Sequence, residues 1–270
     1  MNEIIKGKHL DFTIAEVNEV YDGVVGQLWE MLMGEEIHVG GVMETDILAG
    51  KAGLNRNTSV LDVCSALGGP ARHMARKYGC AVTGLDATMK MVDEAVRRTE
   101  LEGLSDLVSF RIGNALDMPF HADTFDVVWG QDAWCYITDK ERVVREARRV
   151  LRSGGMIAFT DWIQTGNMEV KEWEDLNTFM AFPYMETLDG YEKLLLENGF
   201  IISEKEDMSS DFSHHCHLYH DKLRNELKDV VISRFGKELY KAADEGLGKW
   251  VRAADDGKVG RGRIIGKKES

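Results

Sequence analysis

The chain is short of proline, cysteine and positive charge. Proline occurs three times in 270 residues (Pro70, Pro119, Pro183) and cysteine four times (Cys64, Cys80, Cys135, Cys216). No two cysteines form a CxxC pair, which argues against zinc and more strongly against a disulfide scaffold. No low-complexity linker and no internal repeat is present. Only 33 Lys and Arg stand against 46 Asp and Glu, for a net charge of −13. That balance argues against a polyanion-binding face, so neither nucleic acid nor an anionic membrane is an expected partner. No apolar run reaches membrane-spanning length, and the start MNEIIKGKHL shows no signal-peptide pattern. The expected compartment is reducing and cytoplasmic. A GxGxxG loop is also missing.

What is present is an alternation. VLDVC (60–64) runs into the small-residue turn Ser65-Ala66-Leu67-Gly68-Gly69. CAVTGLD (80–86), VSFRIGNA (108–115), FDVVWGQD (125–132) and MIAFTDW (156–162) repeat the strand format. Helical segments lie between them, which predicts a doubly wound α/β sheet with its ligand at the strands' C-terminal ends. Strands are expected at 59–64, 81–85, 108–112, 125–129 and 156–160. A helix over 139–152 should end at Ser153-Gly154-Gly155. Residues 13–34 read as one or two helices, and 43–54 as another closed by Gly53. Beyond 161 the alternation breaks. A helix (188–200), a strand (IISEKED), a long helix (214–235), a further helix and a last strand (VGRGRIIGKKE) follow, while SEKEDMSSD (203–211) looks like a charged surface turn. The chain divides into N-terminal helices with a closing loop (1–54), a nucleotide-binding core (55–162), and a lid with C-terminal strands (163–270).

Asp86, at the tip of the second strand, stands where a ribose-diol acceptor belongs. The strand–turn–helix before it suits a nicotinamide dinucleotide or S-adenosylmethionine. Asp62 precedes the turn, where a pyrophosphate would be repelled and a sulfonium with an ammonium welcomed. After the third strand, Gly113-Asn114-Ala115-Leu116 offers an amide and a backbone N–H for adenine. These features favour S-adenosylmethionine.

The order Asp62…Gly68, Asp86, Asn114-Ala115, FDVVWGQDA, RVLRSGGMIAFTD resembles the class I S-adenosylmethionine-dependent methyltransferases over roughly 55–200. A narrower likeness takes in GEEIHVGG, SALGGPARHMARKYG, GQDAWCYITDK, the HH of 214–215 with DKLRNEL, and GLGKWVRAADDGKVGRG. It is to the sarcosine/dimethylglycine N-methyltransferases of glycine betaine synthesis, with phosphoethanolamine methyltransferases more distant. The resemblance implies a Rossmann-like seven-stranded sheet, mostly parallel with its last strand antiparallel, under a helical lid. It implies S-adenosyl-L-methionine as cofactor and S-adenosyl-L-homocysteine as product. Asp62, Ala66, Gly68 and Gln131 would hold the methionine end, Asp86 with Ala87 the ribose, and Asn114, Ala115 and Leu116 the adenine. Ile37 and His38 would close over the cofactor's carboxylate. Cys64 and Ala66 depart from the glycines usual in this loop, and Asn114 from the usual acid. Tyr136 falls where the phosphoethanolamine relatives place a catalytic histidine, and Tyr21 resembles that histidine's tyrosine partner.

Methyl transfer needs a positioned, unprotonated nucleophile. A quaternary ammonium product gains from aromatic faces. Trp134 and Tyr136 follow the fourth strand and Trp162 the fifth, so all three are expected toward the methyl site, and Trp250 joins them through the resemblance. Tyr136 reads as orienting rather than abstracting, because a phenol is a poor base at neutral pH. Asp132 is expected to touch the substrate. An amino-acid acceptor brings a carboxylate, for which His214, His215, Lys222, Arg261 and Arg263 are candidates. The His214–His220 run lacks carboxylates at matching spacing, so no metal is expected. The function expected is methylation of a small amine, sarcosine or N,N-dimethylglycine first. The alternatives are another acceptor (amine, thiol or hydroxyl) and a non-catalytic binder of the two cofactor forms. Oligomeric state stays open, a homodimer included.

Overall fold

The computed structural model describes residues 9–269. Most of the N-terminal stretch read for a signal peptide lies outside the described residues. Before the sheet come α1 (Ile14–Asp22), α2 (Val24–Met33) and α3 (Gly41–Ala52). The alternating part follows as β1 (Ser59–Val63), α4 (Gly69–Tyr78), β2 (Ala81–Asp86), α5 (Met89–Leu101), β3 (Val108–Ile112), β4 (Phe125–Gln131), α6 (Lys140–Val150) and β5 (Leu151–Gln164). Then come α7 (Val170–Met180), α8 (Leu188–Glu197), β6 (Phe200–Asp207), α9 (Ser209–Lys222), α10 (Lys228–Phe235), α11 (Lys237–Asp255) and β7 (Val259–Lys268).

The strands make one sheet in the order β3-β2-β1-β4-β5-β7-β6. The first five pair parallel, and β7 enters between β5 and β6 antiparallel to both. Near-continuous apolar runs are what a doubly covered parallel strand requires. Val60, Val82, Val127 and Trp129 pack on one face with α3 and α4. Leu61, Val63, Val128 and Phe159 pack on the other with α6 and α8. A third core, built on Trp29, Trp162, Trp173, Phe212 and Trp250, belongs to α2 and the helices after β5. No helix among the described residues is long and apolar enough to cross a membrane.

Three expectations change. The helix before β5 stops at Val150, and Ser153-Gly154-Gly155 lies within the strand. The β4–β5 register jumps from Phe125–Leu151 to Val127–Met156, so this triplet is a bulge with Gly154 at φ +74°. Residues 203–207 continue β6 as an edge strand, where charge guards against stray pairing, and α9 already begins at Ser209. The long helix is split by a π turn at Leu223–Leu227, an insertion that side-chain periodicity does not reveal.

Candidate active site

The loop after β1 sets the floor. Cys64, Ala66 and Gly68 all take positive φ, at 63°, 44° and 71°. Left-handed backbone costs a residue with a Cβ about 1–2 kcal/mol, which explains why glycine is usual at the first two positions. The strained shape is held by other groups. The Cys64 N–H donates to Leu85 O at 2.7 Å, the Ala66 N–H to Asp86 Oδ2 at 2.9 Å, and buried Arg72 to Leu67 O at 2.6 Å. Gly68 was expected to touch the cofactor. It also shapes the turn: a Cβ there would stand 2.3 Å from Phe110 Cζ.

A cleft of about 1070 Å³, open mouth included, runs along the C-terminal ends of β1, β2 and β4. Asp62 lies in its wall, 3% exposed. Its Oδ2, Ser65 Oγ and Gln131 Nε2 are buried without a hydrogen-bond partner among the described residues. Such groups are costly unless a ligand satisfies them. The set suits S-adenosylmethionine, with an acceptor for its cations at Asp62 and a donor for its carboxylate at Gln131. Gln131 is fixed from behind, because its Oε1 accepts from Thr45 Oγ1 at 3.0 Å and Trp129 Nε1 at 3.2 Å. His38 Nε2 lies 3.0 Å from the same Thr45 hydroxyl. Burial pushes the His38 imidazole down to about 4, so it stands neutral above Ile37, which also lines the cleft.

Asp86 faces the cleft while its Oδ1 accepts from the Thr88 N–H at 2.8 Å. Asn18 of α1 donates to Ala87 O at 2.9 Å and accepts from Thr88 Oγ1 at 3.1 Å, so α1 seals this end. Asn114 Oδ1 accepts from the Leu116 N–H at 2.8 Å, and Asn114, Ala115 and Leu116 share the wall. In the same lining, Tyr21 and Tyr136 join hydroxyl to hydroxyl at 2.5 Å, with rings edge-on at 5.3 Å. Burial raises both phenols above their usual range. Neither ionises near neutrality.

Burial and the neighbouring Asp86 charge push the Asp62 carboxyl up to about 7. A cation bound beside it favours the ionised form, so below that pH binding must expel a proton. Cofactor affinity is expected to fall as pH drops from 8 to 6, approaching tenfold per unit, which is about 1.4 kcal/mol. Calorimetry in buffers of different ionisation enthalpy should detect the released proton. A flat profile, or one unchanged in Asp62→Asn, would remove Asp62 from cation binding.

Several expected substrate contacts lie elsewhere. Trp134 is fully buried, stacked on Phe159 at 4.3 Å. Trp162 and Trp250 pack edge-on at 4.9 Å within the third core, with Phe182 and Phe212 around them. Their large apolar area is worth more in that core than at a wet cleft. Arg261 is fully buried, its Nε 2.7 Å from Asp132 Oδ1, and Arg263 is paired with Glu44 at 2.6 Å. Asp132 lines the cleft, but its oxygens also accept from the Val39 N–H at 2.8 Å and Thr160 Oγ1 at 2.9 Å. It binds strands and loop together rather than standing free for substrate. His214 is exposed on α9, and His215 sits 3.3 Å from Asp211. No residue beyond 138 lines the cleft among those described, so the roof is α1 and the 36–38 turn instead of the expected lid. Thr45, Arg72 and Asn18 were missed. The TIAE sequence at Thr13–Glu16, a capping box in the structure, was the available sign of where the roof helix starts.

Residues 61–159 match the family model described as a methyltransferase domain. The chain is 31% identical over 244 residues to the glycine/sarcosine/dimethylglycine N-methyltransferase of Actinopolyspora halophila, covering 86% of this chain and 43% of that protein. It is 30% identical to the sarcosine/dimethylglycine N-methyltransferase of Halorhodospira halochloris, covering 76% and 73%. In fold it is similar to Haemonchus contortus phosphoethanolamine N-methyltransferase 2, solved with phosphomonomethylethanolamine and S-adenosylhomocysteine. That match has a TM-score of 0.88 and 20% identity, and covers 96% of this chain and 61% of that one. A seven-stranded sheet with its last strand reversed, a cation-seeking carboxylate beside a strained bend, and these relatives agree: the chain belongs to the S-adenosylmethionine-dependent methyltransferases.

Proposed function

We propose that this protein methylates a small amine, with sarcosine and N,N-dimethylglycine as its acceptors, towards glycine betaine. The carrying observation is one cleft that brings together Asp62 Oδ2 and Gln131 Nε2, both without a partner among the described residues, and the neutral Tyr21–Tyr136 pair. The relatives named for those two acceptors support the choice. Held by Asp62, Asp86 and Gln131, S-adenosylmethionine would supply a methyl carbon on a sulfonium to the amine lone pair, the C–S electrons returning to sulfur. The chain itself excludes water with α1 and places phenol oxygens beside the nitrogen as it becomes positive. Aromatic faces favour that cation by about 0.5–2 kcal/mol each. Proton loss from the incoming ammonium goes to solvent before transfer.

A second reading has its own observation. Among the described residues the cleft carries Glu36, Asp62, Asp86 and Asp132 but no lysine or arginine. A carboxylate would have only neutral donors there, which favours an amine without an acid group. Labelled-methyl mass shifts across glycine, sarcosine, dimethylglycine and the N-methylated ethanolamines separate the two. Label on sarcosine and dimethylglycine supports the first reading, and label on amino alcohols alone supports the second. Calorimetric binding of both cofactor forms with no transfer to any acceptor would leave a binding protein and end the enzyme reading.

A further inference from the structure

We propose that Asp161 and Lys140, two buried charges outside the cleft, are positioning residues that clamp the backbone on either side of Tyr136. The inference rests on the methyltransferase reading for its kinetic part only. Tyr136 lies in a 3-10 turn, Trp134–Tyr136, between β4 and α6. On its N-terminal side the Cys135 N–H donates to Asp161 Oδ1 at 3.1 Å. On its C-terminal side Ile137 O accepts from Lys140 Nζ at 3.1 Å. Each charge is 1% exposed, and neither forms an ion pair within 4 Å among the described residues. Buried charges without a salt partner are a poor way to gain stability. Here each is spent on main-chain groups flanking one side chain.

The clamp also reaches the segment after α7. Asp161 Oδ2 accepts from the Tyr191 hydroxyl at 2.5 Å. Lys140 Nζ donates to Tyr184 O at 3.0 Å and stands 3.5 Å from that ring's centroid. Phe182, in the same segment, meets the Tyr136 ring edge-on at 4.8 Å. Residues 182–191 and the turn are thus tied at three points. The elements after β5 do not line the cleft, yet through this clamp they set where the Tyr136 phenol stands against Tyr21.

The test uses the full chain with Asp161→Ala, Asp161→Asn, Lys140→Met and Tyr191→Phe. Hydrogen exchange by mass spectrometry, without cofactor, reads the 133–139 peptide. In Asp161→Ala and Lys140→Met that peptide should exchange on the order of tenfold faster, while the sheet peptides hold. Asp161→Asn keeps an acceptor for the Cys135 N–H and should restore most of the protection. Turnover should drop about tenfold or more with S-adenosylhomocysteine affinity unmoved, as expected of a misplaced group. In a Tyr136→Phe background the same substitutions should cost nothing further, because they act through the missing hydroxyl. Unchanged exchange at 133–139, additive losses, or an equal fall in cofactor affinity would overturn the clamp. Should Asp161→Ala not fold, Tyr191→Phe, which removes one hydroxyl, carries the same exchange and kinetic comparisons. If the unaltered protein turns over no acceptor, the functional reading fails while the exchange result still decides the clamp.

Discussion

Trp134→Ala should destabilise the fold by about 3–5 kcal/mol, the usual cost of emptying a buried indole site. It should lower turnover on every acceptor in the same proportion. Sequence position alone, just after the fourth strand, points this side chain at the methyl group. The structure places it with no exposure, stacked within 13° of parallel on Phe159. A Cβ at Gly130 would sit 2.5 Å from the indole Nε1, so the ring lies directly on the backbone of β4. Chemical denaturation gives the stability change, and turnover on glycine, sarcosine and dimethylglycine at a temperature where the variant is folded gives the second number. A loss concentrated on the tertiary amine would show that the indole reaches the developing ammonium after all.

Asp86→Ala should weaken S-adenosylhomocysteine binding by about 2–4 kcal/mol, more than the 1–3 kcal/mol expected for an unmade buried hydrogen bond. Two effects combine. The ribose hydroxyls lose their acceptor, and the Ala66 and Thr88 N–H groups lose theirs, at 2.9 and 2.8 Å. Ala66 sits at φ 44°, so the bend is then free to relax out of its strained shape. Calorimetry on the folded variant measures the loss. Asp86→Asn should recover part of it, since one amide oxygen still accepts. Affinity unchanged in the alanine variant would displace the ribose from this position.

The sheet was legible because buried parallel strands carry dense apolar runs closed by Asp62, Asp86 and Gln131-Asp132. Those tips line the cleft for the same reason: strand ends in this topology open at one edge. The aromatic and cationic assignments failed where they depended on direction. Trp162 and Arg261 share a register pair on β5 and β7, but one enters an aromatic core and the other an ion-pair layer. Register partners share one face of the sheet, so the two differ in where along that face each side chain runs, which nothing local in the sequence gives. Thr45 and Arg72 escaped notice because each works through a neighbour, Gln131 in one case and the Leu67 carbonyl in the other.

Asp132 gathers the Val39 N–H, the Thr160 hydroxyl and the Arg261 guanidinium, partners 93, 28 and 129 positions away. During synthesis this carboxylate is therefore without its counter-charge until 129 further residues have been made. Contacts of such span close late. The wall laid down by β1, β2 and β4 is thus fastened from β7, a strand that reaches the sheet only after all of them.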